Sequence, residues 1–165
     1  MEKLSLMKIK KIAVVLIIIL ISINLSACQN KKSTTAKVEQ TEYYLNYDNI
    51  AIKLNSNYTN IIATLGLSND SRKENENTKV YSYDNFEIET SIENNVEKIK
   101  SLWFTSENIT TNEGLKIGDT KEKMEQTYGP ATTSQNDVYI YSTNGTSLSF
   151  VTENNKIINI EYMLT

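Results

Sequence analysis

Ile52 to Ser68 reads IKLNSNYTNIIATLGLS, and Leu115 to Ala131 reads LKIGDTKEKMEQTYGPA; the two stretches align without gaps. Lys53/Lys116, Thr64/Thr127 and Gly66/Gly129 are identical, and Leu54/Ile117 and Ile61/Met124 are similar. In the first stretch Tyr58, Ile61, Ile62 and Leu65 fall at i, i+3, i+4 and i+7, the spacing of one helical face. Ser56 stands where a cap is needed, and Gly66 where the chain must leave the helix. The pattern predicts short helices over 57–65 and 120–128.

Strand signals follow each stretch in the same order. Val80 to Ile92 reads as a hairpin around Asp84-Asn85, which sets Tyr83 opposite Phe86 and Tyr81 opposite Ile88. The second hairpin turns at Asn144-Gly145 and places Tyr139, Tyr141, Leu148 and Phe150 on one face. Glu93-Asn94-Asn95 and Glu153-Asn154-Asn155 each precede an apolar strand, within Val96 to Thr105 and over Ile157 to Leu164. Tyr43 to Lys53 is expected to open the fold as a short strand, and Ser68 to Thr78 to be a charged loop. Identities this sparse also arise by chance in an Asn-rich chain, but matches in one order point to an internal duplication with a period of about 60 residues. The expected fold class is α+β: two tandem repeats, each a helix packed on a three- to four-stranded antiparallel meander, over 43–107 and 113–165.

The N-terminus carries a different signal. Lys3, Lys8, Lys10 and Lys11 precede an almost wholly apolar run from Ile12 to Ile23, after which comes Leu25-Ser26-Ala27-Cys28. The run is too short for a spanning helix, which needs roughly 20 residues. The stretch resembles bacterial lipoprotein signals, in which a Leu and two small residues precede a lipid-modified Cys. That resemblance implies a signal peptide over 1–27, cleavage between Ala27 and Cys28, and a lipid on Cys28. An uncleaved N-terminal anchor is the alternative, and either arrangement puts the remainder outside the cytoplasmic membrane. Residues 28–42 are polar and aperiodic and read as a flexible tether.

Composition excludes much chemistry. Cleavage removes four of the 17 basic residues and one of the 20 acidic ones, leaving a net charge of about −6. Such a surface is a poor ligand for nucleic acid. There is no histidine, which removes Ser-His-Asp and Cys-His catalysis and the common zinc sites. The single cysteine, Cys28, cannot form an internal disulfide.

Gly118-Asp119-Thr120, then Met124, then Tyr128-Gly129-Pro130 ahead of a meander resembles two related groups. One is the small outer-membrane-assembly lipoprotein family; the other is the β-lactamase inhibitory protein, with its two tandem helix-plus-sheet repeats. Both are non-enzymatic and bind other proteins, so the resemblance implies a binding module. The first stretch departs from the pattern, with Asn55-Ser56 in place of Gly-Asp and Leu67 in place of Pro.

Candidate sites are few. Glu87 and Glu89 share one strand face, about 7 Å apart by strand geometry, a spacing that carboxylate chemistry also uses; neighbouring acids on a solvated face are far commoner. The stretch Asn69 to Asn77 lacks the spacing and the glycine of a calcium loop. Tyr81, Tyr83, Tyr139 and Tyr141 share their face with Phe86, Ile88, Leu148 and Phe150 and are expected to be core under the helices. Trp103 reads equally as core or as an exposed anchor. The opposite face carries Ser82, Glu87 and Glu89 in the first unit, and Val138, Ile140, Ser147, Ser149 and Val151 in the second. The second set is apolar for solvent: it either packs against the first unit or receives a partner. The candidate partner-binding residues are therefore Val138, Ile140, Val151 and Trp103, with no catalytic residue, metal ligand or cofactor expected. The function read from the sequence is a lipid-anchored, extracytoplasmic, non-enzymatic protein-binding module. An inhibitor or immunity-type lipoprotein, and an enzyme with carboxylate chemistry, are the alternatives.

Overall fold

Pairs of Asn and Asp set where the chain reverses. Asp48-Asn49, Asn94-Asn95, Asn136-Asp137 and Asn154-Asn155 have positive φ at both residues, the backbone of a two-residue hairpin turn that short polar side chains tolerate. The fold is seen in a computed structural model that describes residues 42–165. The signal peptide, Ala27, Cys28 and nearly all of the expected tether lie outside the described residues.

The first turn joins β1 (Tyr44–Tyr47) to β2 (Ile50–Lys53) as a two-stranded sheet. Helix α1 (Tyr58–Leu65) follows, then β3 (Asp70–Lys73), β4 (Thr78–Ser82), β5 (Phe86–Glu93) and β6 (Val96–Phe104). Helix α2 (Lys121–Tyr128) leads into β7 (Thr133–Gln135), β8 (Val138–Thr143), β9 (Thr146–Glu153) and β10 (Lys156–Leu164). The last eight strands form one antiparallel sheet in the order β3-β4-β5-β6-β10-β9-β8-β7. Its two halves join where β6 pairs with β10.

Both helices are short, so packing rather than propensity holds them. Asn57, not Ser56, caps α1: its Oδ1 accepts from the Thr59 amide at 2.9 Å. Ser56 instead donates to the Lys53 carbonyl at 2.6 Å. Thr120 caps α2, accepting from the Lys123 amide at 3.2 Å. Gly66 and Gly129 follow at φ 84° and 76°, a region that a side chain would strain, and each donates back to the carbonyl four residues earlier.

The helices and the β1–β2 hairpin cover one face of the large sheet. Leu45, Ile52, Tyr58, Ile61, Met124 and Tyr128 are buried with Phe86, Ile88, Leu102, Phe104, Leu148, Phe150, Ile160 and Tyr162 in one hydrophobic cluster. Tyr58 stacks on Tyr81 with ring centres 4.1 Å apart, Tyr47 meets Phe86 edge-on at 5.0 Å, and Tyr128 sits 5.4 Å from Phe150. The segment between β6 and α2 adds Ile109 and Leu115 to this core.

The α+β fold of two tandem helix–meander repeats expected from the sequence is therefore corrected. The chain is mostly β, with two helices of eight residues each among the described residues. Its meanders do not close on separate cores: β6 and β10 hydrogen-bond side by side, and the buried residues of both halves form one cluster. Two strands also arise where a loop was expected or no strand was assigned. Asp70–Lys73 lies within the expected charged loop, and Thr133–Gln135 precedes the second tyrosine strand. Both are polar edge strands whose residues are all exposed, with no hydrophobic alternation, so they owe their conformation to the neighbouring strand.

Candidate functional site

Alternation along each strand divides the large sheet into two chemically distinct faces. The hairpin registers match those expected: Tyr81 pairs with Ile88, Tyr139 with Phe150 and Tyr141 with Leu148. These residues face the helices. Tyr141 is buried and donates to the Gly129 carbonyl at 3.1 Å. Tyr81, Tyr83 and Tyr139 are half-buried at the rim of the core. The Tyr81 hydroxyl donates to Glu97 at 2.8 Å, those of Tyr58 and Tyr83 meet at 3.0 Å, and Lys121 lies over the Tyr139 ring at 4.8 Å. The tyrosines are thus used by the fold.

No element among the described residues packs on the other face. The register lines up one row across it: Asp70, Ser82, Glu87, Trp103, Glu161, Ser149, Ile140 and Thr133 stand on successive strands. A second row runs through Arg72, Val80, Glu89, Ser101, Met163, Ser147 and Ser142. A third joins Gln135, Val138, Val151 and Asn159 at the far end. Trp103, Val138, Ile140, Val151 and Met163 are all half-exposed here. The serines at the centre, Ser101, Ser147 and Ser149, are buried between these larger side chains. The residues singled out by sequence, Val138, Ile140, Val151 and Trp103, therefore lie on one surface. The second unit's apolar face does not pack against the first unit, because the halves meet edge to edge and share this face.

The β7 end of the face is concave. Thr133, Gln135, Asn136, Val138 and Ile140 line an open hollow of about 330 Å³. Towards β3 the surface becomes ionic. Arg72 donates two hydrogen bonds to Glu87, at 3.0 and 2.8 Å, and Ser82 donates a third at 2.7 Å. These bonds, Arg72 foremost, hold the Glu87 carboxyl below the usual range. Glu87 and Glu89 are on one face, as expected, but Glu87 is occupied by its arginine. Val80 is buried in the row beside this pair.

Sequence reasoning missed Glu161 and Met163. Both come from β10, and only its pairing with β6 brings them beside Trp103 and Ser101. Burial, and then the charge of Glu89, raise the Glu161 carboxyl above the usual glutamate range, while a bond from Ser101 opposes the rise. Alternation along Ile160, Glu161, Tyr162 and Met163 was the available signal for which face they occupy.

No protein-family model matches the chain, and no curated protein matches it. Among solved structures the chain is similar to a cysteine-rich secretory protein from Staphylococcus aureus subsp. aureus Mu50, with a TM-score of 0.51 at 13% identity, covering 68% of this chain and 43% of that one. It also matches a DUF4309 family protein from Bacillus subtilis subsp. subtilis str. 168, with a TM-score of 0.46 and 16% identity over 67% of this chain and 79% of that one. An extracellular protein with an SCP domain from Bacillus anthracis str. Ames gives a TM-score of 0.42 and 9% identity, covering 67% of this chain and 43% of that one. The chain spans less than half of the S. aureus protein, and what the two share is the fold.

Proposed function

We propose that the chain is a lipid-anchored, extracytoplasmic binding module that presents the uncovered face of its sheet to a protein partner. The observation that carries this reading is the asymmetry of the sheet. One face is buried under two helices, a hairpin and a connecting segment, while the other exposes Trp103, Val138, Ile140, Val151 and Met163 around buried serines. A half-exposed aromatic near Met163, with Ile140, Val138 and Val151 further across the same sheet face, supplies the aromatic and apolar side chains that interface centres use. Anchoring rests on the lipoprotein-like stretch ending at Cys28. A position outside the cytoplasm is in keeping with the secretory description of the S. aureus protein that shares the fold. The activity is non-enzymatic on this reading, since the arginine-bound state of Glu87 suits structure better than proton transfer.

The test is Ile140→Asp. A charge placed on a half-exposed strand position of this face should leave the thermal transition within a few degrees of wild type. It should also abolish recovery of partners cross-linked to the intact, membrane-bound protein. Unfolding of the variant, or unchanged recovery of the same partners, would overturn the assignment of this face.

A further inference from the structure

Charge on the uncovered face is uneven. Its one arginine, Arg72, is used twice, by Glu87 and by Glu74. The lysines of β6, Lys98 and Lys100, both bind Glu93. Glu89 and Glu161 have no basic partner among the described residues. Glu89 is directly across from Ser101 on β5 and Met163 directly across from it on β10, while Glu161, two residues before Met163, is directly across from Trp103. Two carboxylates that repel one another, held beside an indole and a thioether, form a site whose missing component is a cation with an apolar stem.

We infer that the uncovered face takes a cationic protein segment, with a lysine or arginine side chain seated between Glu89 and Glu161 and its aliphatic stem against Trp103. The inference rests on the reading of this face as the docking surface and names the chemistry of its occupant. A neighbouring cation would relieve the repulsion that Glu161 feels from Glu89. The aliphatic residues towards β7 would take apolar side chains at alternate positions of an extended segment. A second copy of this chain is a poor occupant, because it would bring its own unpaired acids to the same place.

Trp103 is the only tryptophan in the chain, so its emission reports the site directly. The probes are two capped peptides, Ac-LKLKLKL-NH2 and Ac-LELELEL-NH2, titrated into the full processed protein in detergent. The lysine peptide is expected to shift Trp103 emission saturably, at least about tenfold more tightly than the glutamate peptide, and to weaken as salt rises. Glu161→Gln and Glu89→Gln should each remove most of that preference, while Glu153→Gln, at an exposed position at the end of β9, should not. Equal binding of both peptides, abolished by Ile140→Asp, would overturn the cationic preference and leave the docking face standing. No effect of either peptide on Trp103 would overturn the inference. So would a dimer in solution that Glu161→Gln alters, which would make a second copy the occupant. So would lysine-peptide binding that appears only after Lys31, Lys32 and Lys37 are replaced by Gln, which would make the chain's own tether the occupant.

Discussion

Trp103 and Glu161 are cross-strand partners at the seam where β6 meets β10. The seam joins residues far apart in sequence, and it sets an indole beside a carboxylate whose proton affinity is raised by burial and by Glu89. Its position in the middle of the uncovered face makes it the natural place to begin perturbing the molecule.

Glu161 should cost stability when ionised. Its folded-state carboxyl is raised above the ordinary value of 4.5, so the folded protein binds the proton more tightly than the unfolded chain. Stability associated with this group is present below that value and lost as pH rises through the raised one. Glu161→Gln should therefore raise the urea midpoint at neutral pH, with the gain vanishing in acid. A midpoint lowered at pH 7 would contradict the sign.

The core tyrosines predict alkaline unfolding. Burial pushes the Tyr141 hydroxyl up to about 12, and those of Tyr128 and Tyr162 rise further for the same leading reason. Their unfolded value is 10.0, so above it the unfolded chain releases protons that the folded one retains. Stability should fall as pH rises from 10 through 12, which chemical denaturation at stepped pH would show. A flat profile across that window would refute it.

Tyr128 also links α2 to the segment before it. Its hydroxyl donates to Glu113 and accepts from the Thr111 hydroxyl at 3.0 Å, while its ring packs on Tyr43, Tyr141 and Phe150. Tyr128→Phe keeps the ring and leaves a buried threonine with one bond fewer. A loss of about 1–2 kcal/mol in urea unfolding is expected. A neutral result would mean that the hydroxyl bonds add nothing to stability.

Asn95 occupies the second place of the β5–β6 turn at φ 61°. Asn95→Gly should be neutral or stabilising, whereas Asn95→Val should cost about 1–2 kcal/mol, because a branched side chain is strained there. Equal stabilities would show that the turn can change its conformation.

Cys28→Ala tests the anchor independently of the sheet. The variant should carry no lipid label and should accumulate with its first 27 residues attached, as judged by mass. Recovery of the wild-type protein as a soluble species with an unmodified Cys28 would remove the membrane from the account.

Local chemistry was readable in the sequence. The 3.6-residue period of Tyr58, Ile61, Ile62 and Leu65 specified α1, and the spacing of turn residues fixed the register that pairs Tyr81 with Ile88 and Tyr141 with Leu148. Asp48-Asn49 and Asn136-Asp137 carry the same signal as the Asn pairs that marked the later turns, and would have revealed the β1–β2 and β7–β8 hairpins. Val138, Ile140 and Val151 were legible as one set because strand alternation separates them from the tyrosines, but whether they pack against the first unit or stay half-exposed was not.

What the sequence determined by itself was the set of elements held by nearest neighbours: two helices, the tight hairpins, and the face to which each side chain belongs. Only the tertiary structure decided how they combine. The pairing of β6 with β10 fuses the two meanders into one sheet, and no local pattern encodes it, because two strands distant in the chain present the same backbone hydrogen-bonding groups whatever their side chains. The polar edges β3 and β7 follow from that sheet for the same reason. So does the setting of Trp103 among Glu89, Glu161 and Met163, residues that come from three strands and meet only once the seam has formed.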